Sequence, residues 1–248
     1  QPIVSWLKAQ NVTIIPHAPS WDEHVSTALH KSSHQQLQTS HLYTDLKATL
    51  ATYFRLDIGN VLELSHVEHI LYTDVDVYFR RNIDFFSQPL ITDSIQMGFE
   101  ASDTYPLNAG VYFASLKFLR ETYAELLLAF LNLETVSDEE YGPGDQGVLN
   151  KVYARELRDN GPLSKTFNSK PYKSFLKEAS IVHFHGPKLN DYAQYAGSKS
   201  CRFQRMCAQG FEHGLCMYYK EIESFLAVNN LHIFRKEREI LKRRCITT

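Results

Sequence analysis

An apolar run in this chain is cut by two aspartates one residue apart. Ile70-Leu71-Tyr72 leads into Asp74-Val75-Asp76, and Val77-Tyr78-Phe79 follows at once. Two carboxylates this close repel each other. A chain that sets them at the end of a buried strand must offset the repulsion with a cation or with hydrogen bonds. A hard divalent cation such as Mg²⁺ or Mn²⁺ does so and can also bridge a diphosphate. An isolated Asp-x-Asp is more often a pair of solvated loop carboxylates, so the surroundings decide.

The surroundings alternate short β-rich runs with helical patterns, which argues for an α/β fold, a sheet with crossover helices. Residues 12–16, 69–73, 95–100, 109–114 and 181–184 read as strands. Leu46, Leu50 and Phe54 share a helix face running towards Ile58, and Leu119, Tyr123, Leu126 and Phe130 form a second. Asp145 opens another helix after Gly142-Pro143-Gly144. The polar residues of interest fall at strand ends and loop-to-helix junctions, where open α/β sheets bind ligands.

One more strand end carries candidate ligands, in Val182-His183-Phe184-His185-Gly186-Pro187-Lys188. An imidazole joining two carboxylates suits Mn²⁺ better than Mg²⁺. Alternation puts His183 and His185 on the same side, so pattern does not choose between them. Lys188 stands where a leaving diphosphate needs positive charge.

A formal charge of −2 over 248 residues offers no electrostatic case for nucleic acid or an anionic membrane as partner. The basic run 236–244 is interleaved with Glu237, Glu239, Ile240 and Leu241, and reads as the solvated face of a last helix. No apolar stretch is long enough to span a bilayer, and residues 1–10 lack a signal-peptide pattern. Cys201, Cys207, Cys216 and Cys245 fit no zinc spacing; they are buried thiols or disulfides pinning a C-terminal extension. With the sequon Asn11-Val12-Thr13, disulfides would favour a secretory lumen over the cytoplasm.

Together these pieces resemble the glycogenin and bacterial lipopolysaccharide galactosyltransferase family of retaining glycosyltransferases, family 8. Five segments match in family order: Thr52-Tyr53-Phe54-Arg55-Leu56, Leu71-Tyr72-Thr73-Asp74-Val75-Asp76, Asn108-Ala109-Gly110-Val111, Gly144-Asp145-Gln146-Gly147-Val148-Leu149-Asn150 and His183-Phe184-His185-Gly186. The resemblance implies a GT-A fold, a mixed and mostly parallel sheet flanked by helices. It implies transfer of a hexose from a nucleotide sugar, usually UDP-linked, with retention of configuration. The acceptor is a glycan, a protein or a lipid.

The resemblance also implies a role for each matching position. Asp74, Asp76 and His183 would hold Mn²⁺, with Mg²⁺ as the alternative. Arg55 would contact the sugar diphosphate. Asn108, the Ala109 backbone and Asp103 would line the sugar pocket, and Asp145 would hold sugar hydroxyls. Gln146 would sit near the anomeric carbon, and Gly186 with Lys188 would face the phosphates. The alternative is a catalytically silent domain that keeps only a binding role.

Two departures stand out. The family ends its last motif with Lys-Pro-Trp, whereas Lys188 arrives one residue early and precedes Leu189-Asn190. The family's opening strand-helix-strand is not visible, because residues 3–9 read as a later helix and 12–16 as the strand after it. The expected organisation is a catalytic domain over 1–197, incomplete at its N-terminal side, and a helical extension over 198–248 packed on it.

Overall fold

The computed structural model describes residues 2–19, 21, 52–83, 92–100, 106–131, 138–142 and 144–246. The expected positions Leu46, Leu50, Asp103 and Pro143 lie outside them.

The central element is strand β4, Leu107–Ser115, in which all nine residues are buried. It runs between β1, His69–Thr73, and β3, Ile95–Phe99, in the order β1-β4-β3. Strand β2, Val77–Phe79, pairs with β5, Ile181–His183, in a second sheet. Helices flank both sheets, so the chain is α/β. Its ladders, however, are antiparallel among the described residues, not mostly parallel as expected, and parallel pairing is confined to an isolated bridge between Ser169 and Val182. A parallel ladder needs a crossover that returns to the same sheet. Here the helices after β4 carry the chain into the other sheet instead.

Those helices are α2, Leu116–Glu121, α3, Tyr123–Leu131, α4, Asp138–Tyr141, α5, Gly144–Val152, and α6, Ala154–Asn160; they follow α1, Pro2–Ala9. The single helix expected through Leu119 and Phe130 is broken at Thr122, whose hydroxyl donates to the Phe118 carbonyl at 2.8 Å. Its apolar face survives the break, since Leu119, Leu126 and Phe130 are all buried. Side chains buried this fully contribute about 1.5–3 kcal/mol each.

Two expectations fail at the front. Residues 12–16 form no strand, and Val12 and Ile14 are exposed, because no described strand offers them a ladder. Phe54 does not lie on a buried α-helical face. It opens a 3₁₀ helix, Phe54–Asn60, that buries Leu56, and Tyr53 just before it is buried too. The tighter winding changes which side chains point inward.

The smaller sheet packs against four helices: α7, Leu189–Ser198, α8, Gln204–His213, α9, Leu215–Val228, and α10, Arg235–Ile246. Val182, Phe184, Tyr192, Leu215, Tyr218 and Leu241 share one buried cluster there. Disulfides join Cys201 to Cys207 and Cys216 to Cys245. The basic run lies on α10, which buries Leu241 and Cys245. No described helix is long and apolar enough to cross a membrane.

Candidate metal centre

Strand β4 outruns β3 just where the site forms. One step along β3, from Met97 to Gly98, corresponds to four along β4, from Tyr112 to Asn108. The extra residues Ala109, Gly110 and Val111 leave the β3 ladder, as in an enlarged bulge, and their backbone groups turn to other partners. The Gly110 carbonyl accepts from the Asp74 N–H at 2.8 Å, and the Ala109 carbonyl accepts from Arg55 Nη1 at 2.7 Å. Asp74 is thereby fixed at the end of β1, with Asp76 closing the turn into β2.

His183, at the end of β5, completes the group. Ligand atoms of Asp74, Asp76 and His183 lie within 4.8 Å of one another, so the three can hold a metal ion. His183 Nε2 is 3.2 Å from Asp76 Oδ1 and 3.8 Å from Asp74 Oδ2. The imidazole is almost wholly buried. Asp76 Oδ1 is also buried and has no hydrogen-bond partner. Gly110 makes room for this convergence, because a Cβ there would overlap His183 Cε1 and lie 2.7 Å from Asp74 Oδ2.

The outer oxygen of each carboxylate is already engaged. Asp74 Oδ1 accepts from the Tyr72 hydroxyl at 3.0 Å and pairs with Arg55 Nη2 at 2.8 Å. Asp76 Oδ2 pairs with Lys188, whose ammonium also donates to the Phe184 carbonyl at 2.9 Å. Each aspartate thus has one oxygen tied to a protein cation and one turned to His183. Burial would raise the Asp76 carboxyl, but Lys188 and the cationic form of His183 outweigh it and hold it well below the usual carboxylate range.

Arg55 joins the metal group to the sugar-side candidates. Its Nε pairs with Asp145 Oδ2 at 2.8 Å, and its guanidinium lies over the Tyr72 ring. Burial works against its charge, yet Asp145, Tyr72 and Asp74 raise its pKa further above the ordinary arginine value. Burial pushes the Asp145 carboxyl up, and Arg55 only partly offsets this. At the start of α5, Asp145 is the buried partner of the Arg55 guanidinium.

Beside it, Gln146 Oε1 accepts from Asn108 Nδ2 at 3.0 Å and from the Ala109 N–H at 3.3 Å. Asn150, one turn on, pairs with both backbone groups of Leu107 and so clips α5 to β4. Gly186 takes φ +83° in the turn after β5.

The structure therefore brings Asp74, Asp76, His183, Arg55, Asp145, Asn108, Ala109, Gln146 and Lys188 into one continuous contact network. Lys188 is drawn onto Asp76 from the turn before α7. The two histidines, whose ring centroids lie 5.6 Å apart edge to face, take different partners, although pattern could not distinguish them. His185 Nδ1 lies 3.1 Å from the Tyr172 hydroxyl, and burial with Lys170 nearby lowers its pKa to about 4.

Sequence reasoning missed three residues behind the site. Lys170 is buried and pairs with Glu100 at 3.2 Å; Glu100 Oε2 accepts from Asn108 at 2.6 Å; Asn168 Oδ1 lies 2.8 Å from His183 Nδ1. None sits in a periodic or spaced motif. The available signals were Glu100 at the end of the strand read over 95–100 and Asn168 beside the apolar Phe167.

No family model matches the chain, and no curated protein matches it. Among solved structures the chain is similar to the galactosyltransferase LgtC, crystallised in complex with donor and acceptor sugar analogues. The match has 18% identity and a TM-score of 0.44, and it covers 65% of this chain and 66% of that one.

Proposed function

We propose that this chain is a metal-dependent glycosyltransferase of GT-A type, transferring a hexose from a UDP-sugar with retention of configuration. The observation that carries the proposal is the convergence of Asp74, Asp76 and His183 with a buried, unpartnered carboxylate oxygen among them. Mn²⁺ suits two carboxylates and an imidazole better than Mg²⁺ does. When bound, such a cation supplies Lewis acidity to the phosphate oxygens of the donor.

The protein's own groups set the rest. Lys188, next to the cation group, stabilises negative charge on the departing diphosphate. Arg55 holds Asp74 and Asp145 in place, and Asn108 with Gln146 forms a polar wall for the sugar. Gln146 is a poor nucleophile, because its amide is a neutral, delocalised group and its oxygen already accepts two hydrogen bonds. Asp145 is committed to Arg55. We therefore favour attack by the acceptor hydroxyl on the leaving-group face. The anomeric C–O bond to phosphate breaks, the new C–O bond forms, and the hydroxyl proton passes to the departing phosphate oxygen.

We further propose residues 1–197 as the catalytic part and 198–248 as its helical extension. The two disulfides and the exposed sequon at Asn11 favour the Golgi lumen as the setting.

Turnover of a panel of UDP-sugars with Mn²⁺, with the product anomer read by NMR, tests the proposal. Metal-stimulated turnover with retention, lost in Asp74→Ala and His183→Ala, is expected; an inverted product or a trapped sugar on Asp145 would sink the mechanism. One observation favours a silent binding domain instead: Arg55 and Lys188 already neutralise one oxygen of each aspartate. No turnover of any donor, with glycan binding retained, would select that reading.

A further inference from the structure

We propose that Asn168 and Glu100 are positioning residues for His183, the first acceptor and the last in a one-way hydrogen-bond chain that fixes the imidazole tautomer. The inference rests on the metal reading above, but it concerns the protein's own protons.

The direction of each bond follows from groups that can only donate or only accept. The Asn168 amide nitrogen donates to the Phe99 carbonyl at 2.8 Å and to Asn108 Oδ1 at 3.1 Å. A carbonyl cannot donate, so Asn168 must turn its oxygen to His183. That oxygen, 2.8 Å from Nδ1, can only accept, so Nδ1 carries the proton. In the neutral ring Nε2 is then a bare lone pair facing Asp76 and Asp74. Lone pairs on three converging atoms suit a cation.

Asn108 is oriented just as firmly. Its oxygen accepts from the Gly110 N–H at 3.1 Å, and its nitrogen donates to Glu100 and Gln146. The chain ends at Glu100, which stays an acceptor because buried Lys170 donates to its carboxylate at 3.2 Å and to its backbone carbonyl at 2.8 Å. Protons therefore point from His183 to Asn168 to Asn108 to Glu100. The backbone makes space for the relay, since a Cβ at Gly98 would lie 2.7 Å from Asn168 Nδ2. The β3 irregularity at Met97/Gly98 and this amide are one feature.

The test is the ¹⁵N–¹H correlation spectrum of the metal-free protein at alkaline pH, where imidazoles are neutral, with His183 assigned through His183→Asn. Nδ1 protonation is expected. Asn168→Ala should erase that preference and weaken Mn²⁺ binding in calorimetry by roughly 10–100-fold. Asn168→Asp should keep the tautomer through its acceptor oxygen while lowering Tm, because its second oxygen faces two acceptors.

A wild-type His183 protonated on Nε2 overturns the inference. So does a folded Asn168→Ala protein with unchanged tautomer and unchanged Mn²⁺ affinity. If Asn168→Ala does not fold, the wild-type spectrum still decides. Absence of Mn²⁺ binding by wild type sinks the metal reading alone, and the spectrum still decides the relay.

Discussion

The larger sheet and the smaller one build the same site by different means. Around β1-β4-β3 the polar groups are buried and held by one another: Arg55 spans Asp74 and Asp145, and Asn108 ties Glu100 to Gln146. Around β2-β5 charged pairs such as Arg80 with Glu221 and Arg238 with Glu223 sit away from the candidate site, and two disulfides pin the helices. The first region therefore couples stability to chemistry, whereas the second couples it to covalent links remote from the ligands. His183 is the exception, a ligand from the smaller sheet oriented by amides that lean on the larger one.

That contrast can be broken most sharply at Arg55. Arg55→Ala leaves buried Asp145 without its ion-pair partner, and removal of one partner from a buried pair costs about 3–5 kcal/mol. Chemical denaturation should show that loss. Retained stability would mean the two carboxylates find other partners.

The comparison region should behave otherwise. The Cys216–Cys245 bond spans 29 positions of chain. Cys216→Ser with Cys245→Ser should cost about 3–4 kcal/mol through the unfolded state, while Mn²⁺ affinity stays within about threefold. A large drop in affinity would show that the helices hold His183 more tightly than the packing indicates.

The smallest effect is at Glu223. The Arg238 guanidinium holds its carboxyl below the ordinary range. A depressed carboxyl stabilises the fold above its unfolded pKa, and the contribution disappears as pH falls through the folded value. Because the pair is only partly buried and lies near the surface, Glu223→Gln should cost only about 0.5 kcal/mol at neutral pH and nothing in strong acid. Equal destabilisation at both pH values would assign the residue a packing role.

Much of this site was legible in the sequence because its parts interrupt apolar segments. Asp74 and Asp76 end one strand, His183 ends another, and Asp145 with Gln146 opens a helix after a glycine-rich turn. Their convergence was legible only through the family resemblance, not from pattern. It depends on the bulged stretch 109–111, which no periodicity marks, and on Arg55 turning inward from a 3₁₀ helix that reads as an α-helical face. The strand directions were misread because alternating strands and helices look alike whether a crossover returns to its own sheet or leaves it. Asn168, Glu100 and Lys170 escaped notice because single polar residues acquire meaning only once buried.

The central claim is that Asp74, Asp76 and His183 hold one divalent cation. Calorimetric titration of Mn²⁺ into the metal-free protein and its His183→Ala and Asp76→Asn variants tests it most directly. The account predicts a single site in the wild-type protein and no measurable binding in either variant, with Tm showing both still folded. Undiminished binding in either variant, or none in wild type, would contradict it.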